Sequence, residues 1–87
     1  MHVADISLQF HLGSEGEPRT YFSWKAMIGP KQYGVVHELP GADYPEGFDK
    51  GQRQKWTLIA LEEIDDVRRA LLAGKPIDAQ SLPQRAH

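Results

Sequence analysis

Residues 52–73, QRQKWTLIALEEIDDVRRALLA, restrict this chain more than any other stretch. Trp56, Ala60, Ile64, Val67 and Leu71 recur at spacings of 4, 4, 3 and 4. A helix turns once in about 3.6 residues, so these five side chains form one apolar stripe. Such a helix draws most of its stability from packing that stripe against something else. The remaining residues must therefore supply an apolar surface for it to lie on. Gly74 suits a left-handed helix end, and Pro76 cannot continue the helix.

The first half of the chain reads as strands. In DISLQFHL, residues 5–12, Ile6, Leu8, Phe10 and Leu12 fall on one face, and Ser7, Gln9 and His11 on the other. That alternation marks a half-buried strand. Residues 13–18, GSEGEP, break it as a turn longer than two residues. Residues 19–28, RTYFSWKAMI, are rich in β-favouring types, with Phe22, Trp24, Ala26 and Ile28 on one face. GPKQ at 29–32 reads as the next turn. Residues 33–39, YGVVHEL, form a third strand. Tyr33, Val35, His37 and Leu39 are taken as its inward set, because they have more area to bury than Gly34, Val36 and Glu38.

The expected architecture is α+β with two layers. A three-stranded antiparallel meander packs on one long C-terminal helix, in the order β-β-β-α. With 87 residues the chain is one domain. The compact part is expected over 1–76, with 77–87, rich in proline and poor in apolar residues, as a mobile tail. One sheet face is left uncovered, carrying Ser7, Gln9, His11, Tyr21, Ser23, Lys25 and Met27. Both sheet edges are open.

The totals exclude several kinds of chemistry. There is no cysteine, so disulfides, thiolate nucleophiles and cysteine metal sites are ruled out. A small domain without disulfides leans towards a reducing compartment. The first ten residues lack a basic and apolar leader pattern, and the longest apolar run is LIAL at 58–61. The cytoplasm is the expected location, with no membrane partner. The formal net charge of -2 gives no global field for nucleic acid.

No catalytic, cofactor or metal motif stands out, and none is expected. His2, His11, His37 and His87 show no i,i+4 pairing on a helix, and His11 and His37 lie on strands that are not neighbours. Asp43, Glu46 and Asp49 lack the alternating spacing of a calcium loop. Glu63 lies beside the helix stripe, where an edge carboxylate is expected to reach outward to solvent.

Candidate contact residues remain. GADYPEGFDKGQRQKW, residues 41–56, begins as a loop and gathers Lys50, Arg53 and Lys55 where the helix starts. Cations there oppose the helix dipole, so folding alone does not account for them. An anion site is one reading, and local neutralisation by Asp43, Glu46 and Asp49 is the other. Tyr44 and Phe48 are either an exposed aromatic contact or plugs for the core. Leu58 falls on the polar side of the helix, near Leu61 and Leu72, as a partner or dimer contact. Tyr21 and Lys25 are the candidates on the bare sheet face.

Three functions are in view. The first is a small non-catalytic binding protein (an inhibitor, immunity-type or adaptor protein) that docks on a larger protein. A homodimer through a sheet edge or the helix fits the same features. The second is a nucleic-acid-binding module using the basic helix start, with Trp56 and Lys25. The third is a small enzyme or enzyme subunit, with Asp43 or Glu46 brought near His37.

Overall fold

A computed structural model describes residues 1–75. The elements are β1 (Val3–His11), β2 (Thr20–Ile28), β3 (Lys31–Leu39) and α1 (Lys50–Leu72), with one turn of 3-10 helix at Gly41–Asp43. The sheet is antiparallel in the order β1-β2-β3. α1 crosses one face of it and packs on the central strand β2. This is the expected two-layer β-β-β-α arrangement. The expected tail at 77–87 and Pro76 lie outside the described residues.

The β2–β3 hairpin turns on two residues, since Ile28 pairs directly with Lys31. Gly29 takes φ 62° and Pro30 follows it. Positive φ at the first turn position matches the strand twist, and glycine reaches it without strain. The turn is thus shorter than GPKQ suggested, and β3 begins at Lys31.

β1 departs from simple alternation. Ala4 pairs with Met27, but Ser7 pairs with Lys25. β1 therefore sets two residues, Asp5 and Ile6, against the single Ala26 of β2. Asp5 has φ 55°, and aspartate tolerates this left-handed conformation better than most residues. This β-bulge shifts the phase of the strand. Val3, Leu8 and Phe10 pack against the core, whereas Ile6 is 46% and Leu12 40% exposed. The expected inward set of Ile6, Leu8, Phe10 and Leu12 is thus half right.

The core follows the other expectations. Phe22, Trp24, Ala26 and Ile28 of β2 are buried, as are Tyr33, Val35, His37 and Leu39 of β3. Above them lie Trp56, Ala60, Ile64 and Val67 of α1. Phe22 and Trp56 meet with ring centroids 5.4 Å apart, and Phe10 and Phe22 at 4.9 Å. At the sheet's end, Tyr44 and Phe48 close the core from the loop. Tyr44 accepts a hydrogen bond from Trp56 Nε1 at 3.3 Å.

Both ends of α1 are capped. Asp49 accepts from the Gln52 amide, and the Gln52 side chain accepts from the Asp49 amide, each at 2.8 Å. This reciprocal box starts the helix two residues earlier than the apolar stripe indicated. At the other end Gly74 has φ 75°. Its amide donates to Leu71 and that of Lys75 to Ala70, both at 3.0 Å. These two bonds satisfy carbonyls the helix cannot pair internally. Among the described residues no helix is long and apolar enough to cross a membrane.

Candidate functional site

The open sheet face gathers side chains from all three strands. Register places His11 beside Tyr21, and Tyr21 beside Glu38. The rings of His11 and Tyr21 stack at 4.8 Å with an interplanar angle of 11°. Arg19 covers Tyr21, its guanidinium carbon 5.0 Å from the ring centroid. His11 Nδ1 donates to the Arg19 carbonyl at 2.6 Å, since a carbonyl can only accept. Glu38 closes the group by pairing with Arg19, whose Nε donates to it at 3.0 Å. This pairing holds the Arg19 guanidinium above its already high ordinary range, first through the hydrogen bond and then through charge attraction.

Arg19, Tyr21 and His11 thus form a layered stack whose parts fix one another. Ser23 is buried between Gln9 and Val36, and Lys25 is exposed between Ser7 and Gly34. Tyr21 is half-buried by its neighbours. The two candidate contact residues of this face, Tyr21 and Lys25, are therefore both there, and so is His11, also expected on it. Register brings His11, Arg19 and Glu38 together with Tyr21.

The candidates around the helix start are placed differently. Tyr44 and Phe48 are 6% and 9% exposed, so they serve the core and offer no contact surface. Burying such rings stabilises the fold by roughly 2–3 kcal/mol each, which outweighs leaving them in water. Arg53 is also used by the fold. Its Nε donates to the Phe48 carbonyl at 3.1 Å, and its guanidinium carbon sits 4.8 Å from the Phe10 ring centroid. Lys55 Nζ lies 5.3 Å from the Trp56 ring centroid. Folding thus does account for Arg53 and Lys55 at this helix start, through aromatic faces that attract them. Of the helix-start amides that an anion would use, that of Gln52 is already taken by the Asp49 side chain.

Lys50 and Leu58 do face outward. Together with Arg53, Gln54 and Thr57 they line an open groove of about 760 Å³ along α1. Leu58 is 63% exposed, Leu61 47% and Leu72 58%.

Glu63 does not reach outward to solvent as expected of an edge carboxylate. Glu63 is only 6% exposed and His37 is fully buried. Glu63 Oε1 accepts from His37 Nε2 at 2.8 Å and from Trp24 Nε1 at 3.3 Å. The pairing spans 26 residues of sequence and joins α1 to β3. The carboxylate near His37 is thus Glu63, and neither Asp43 nor Glu46. The available signal was a carboxylate near the apolar stripe combined with a histidine in an inward-facing strand set. The pair sits under the helix, sealed from solvent, and fixes the helix by polar contacts that any slide or roll would break.

Among the described residues no group of three or more His, Asp or Glu side chains is placed to hold a metal ion. No protein family matches this chain, and no curated protein or solved structure matches it either.

Proposed function

We propose that this chain is a small non-catalytic binding protein that docks on a larger protein through the open face of its sheet. The observation that carries this reading is the Arg19–Tyr21–His11 stack, braced by Glu38 on the open sheet face. Tyrosine and arginine are the residue types that most often anchor protein contacts. Their immobilisation before binding removes much of the ordering cost that a contact otherwise incurs. Lys25, two residues along the same strand face, adds a charge that orients an approaching partner. The adaptor, inhibitor and immunity-type readings all use such a surface.

The nucleic-acid reading is weakened by the use of Arg53 inside the fold and by the capped helix start. The enzyme reading would need a substrate to reach His37 and Glu63 beneath α1.

The test compares the full chain with a Tyr21→Ala/Lys25→Glu variant and a Leu58→Asp variant. Each is immobilised and exposed to lysate, and any retained protein is then purified and titrated. A single protein held by the wild type and by Leu58→Asp, but not by the sheet-face variant, is the expected result. Retention that survives the sheet-face changes overturns the reading. So does retention of nucleic acid alone, in a manner that weakens steeply with salt.

A further inference from the structure

The outward side of α1 carries a pattern that the docking face does not use. Gly51, Gln54, Leu58, Leu61, Asp65, Arg68 and Leu72 are spaced 3, 4, 3, 4, 3 and 4 apart. A 3-4 alternation marks the seam along which two helices pack side by side. Its centre is apolar, with Leu58 and Leu61 one turn apart and both exposed. The core stripe of Trp56, Ala60, Ile64 and Val67 points the opposite way. α1 is therefore built with two seams, one filled by the sheet.

We infer that the second seam is occupied by another copy of this chain, in an antiparallel helix pair centred on Leu58 and Leu61. In this pairing Leu58 of one copy lies opposite Leu61 of the other, so four leucines meet at the two-fold axis. The rest of the register follows from that choice. Gln54 lies opposite Asp65 of the second copy. Gly51 lies opposite Arg68 and leaves room for its long side chain. Leu61 of the second copy enters the space between Gln54, Thr57, Leu58 and Leu61. Three of those residues, Gln54, Thr57 and Leu58, line the open groove.

Charge decides between orientations. Along one flank of the seam run Lys55 and Glu62, seven residues apart. An antiparallel pair brings Lys55 of each copy beside Glu62 of the other, twice over. A parallel pair would instead bring Lys50 of one copy towards Lys55 of the other. Like charges flanking a helix seam disfavour that partner orientation. Lys50 and Lys55 thus set the orientation of the pair, in addition to the aromatic contact that Lys55 makes within the fold.

The extent of contact sets the strength. Residues 51–68 overlap, a length of about 27 Å at roughly 1.5 Å per residue. Each copy then buries on the order of 500 Å², which lies at the low end for specific protein contacts. The dimer is accordingly weak and concentration-dependent, with a Kd on the order of 10–100 μM.

Sedimentation velocity of the full chain from about 5 to 500 μM, a range that brackets that Kd, is the direct test. The wild type is expected to move from monomer towards dimer. Leu58→Asp should remain monomeric while keeping the wild-type circular dichroism and melting temperature, because the side chain is exposed. Lys55→Glu and Glu62→Lys should each weaken the dimer, and the double exchange should restore it. A wild type that stays monomeric throughout overturns the inference. A dimer that survives Leu58→Asp, or one that the double charge exchange does not restore, overturns it as well. These outcomes leave the sheet-face reading untouched, since no residue is shared between the two surfaces.

Discussion

The two faces of the sheet come from the same strands but follow different rules. On the covered face, alternate residues of β2 and β3 are closed under α1, and size and shape dominate. Phe22, Trp24 and Trp56 fill the space, and His37 Nε2 and the Trp24 indole both donate to Glu63. On the open face the neighbouring residues of those strands hold one another by stacking and charge. Both faces contain a histidine, a carboxylate and aromatic rings. What differs is water. Beneath the helix, a lost hydrogen bond leaves a group that nothing can satisfy. On the open face water replaces any lost partner, so the same chemistry contributes orientation more than stability.

That contrast can be broken by substitution. Trp56→Ala removes one of the two buried indoles between the layers and should cost about 4 kcal/mol in urea unfolding. Glu63→Ala strands His37 and the Trp24 indole and should cost about 3 kcal/mol, measured in the same way. Combining Glu63→Met with His37→Leu should cost less than Glu63→Ala alone, because only the Trp24 indole then loses its partner and the space stays filled. Asp49→Ala removes the helix cap and should cost about 1 kcal/mol, with thermal melting as the readout.

On the open face the expectations reverse. Tyr21→Ala should change stability by only about 0.5 kcal/mol. Its effect should appear in partner affinity, as a loss of about tenfold or more. A large stability loss here would mean that the two faces follow the same rule after all.

The smallest effect expected concerns Asp65. Arg68 hydrogen-bonds its carboxylate, and with Arg69 holds it below the usual carboxylate range. The unfolded chain therefore binds a proton at this site at a higher pH than the folded chain does. The contribution is present above the ordinary carboxylate range and is lost as pH falls through the lowered one. Asp65→Asn should flatten this acid limb slightly, as seen by comparing melting temperatures across the acid range. Because the group is exposed, added salt should shrink the difference.

Much of this fold was legible in the sequence, and the exceptions have physical causes. Helix and strand periods are local properties, so the element order, the stripe on α1, the inward set of β3 and the Gly74 cap could be read directly. The bulge could not. Ile6 continues the alternation of Leu8 and Phe10, and only pairing with β2 reveals the extra residue. Glu63 was misjudged because its burial depends on His37 and Trp24, both remote in sequence. The part Arg53 plays in the fold was not legible because it depends on Phe10, far earlier in the chain on β1. The open-face stack was half legible. Alternation assigned His11, Tyr21 and Lys25 to it and set Glu38 on the outward side of β3, whereas the contacts of Arg19 with Tyr21 and Glu38 depend on register.

The bulge at Asp5 and Ile6 bears on how this small domain avoids fibrous assembly. A sheet edge recruits further strands when its outward amides and carbonyls repeat at a regular interval. Along β1 that interval is interrupted between Ala4 and Ser7, with a charged residue in the irregular position. A foreign strand approaching this margin can match the ladder before the interruption or after it, but not both. The sheet therefore carries a stop to templated growth within its first strand, supplied by a single additional residue.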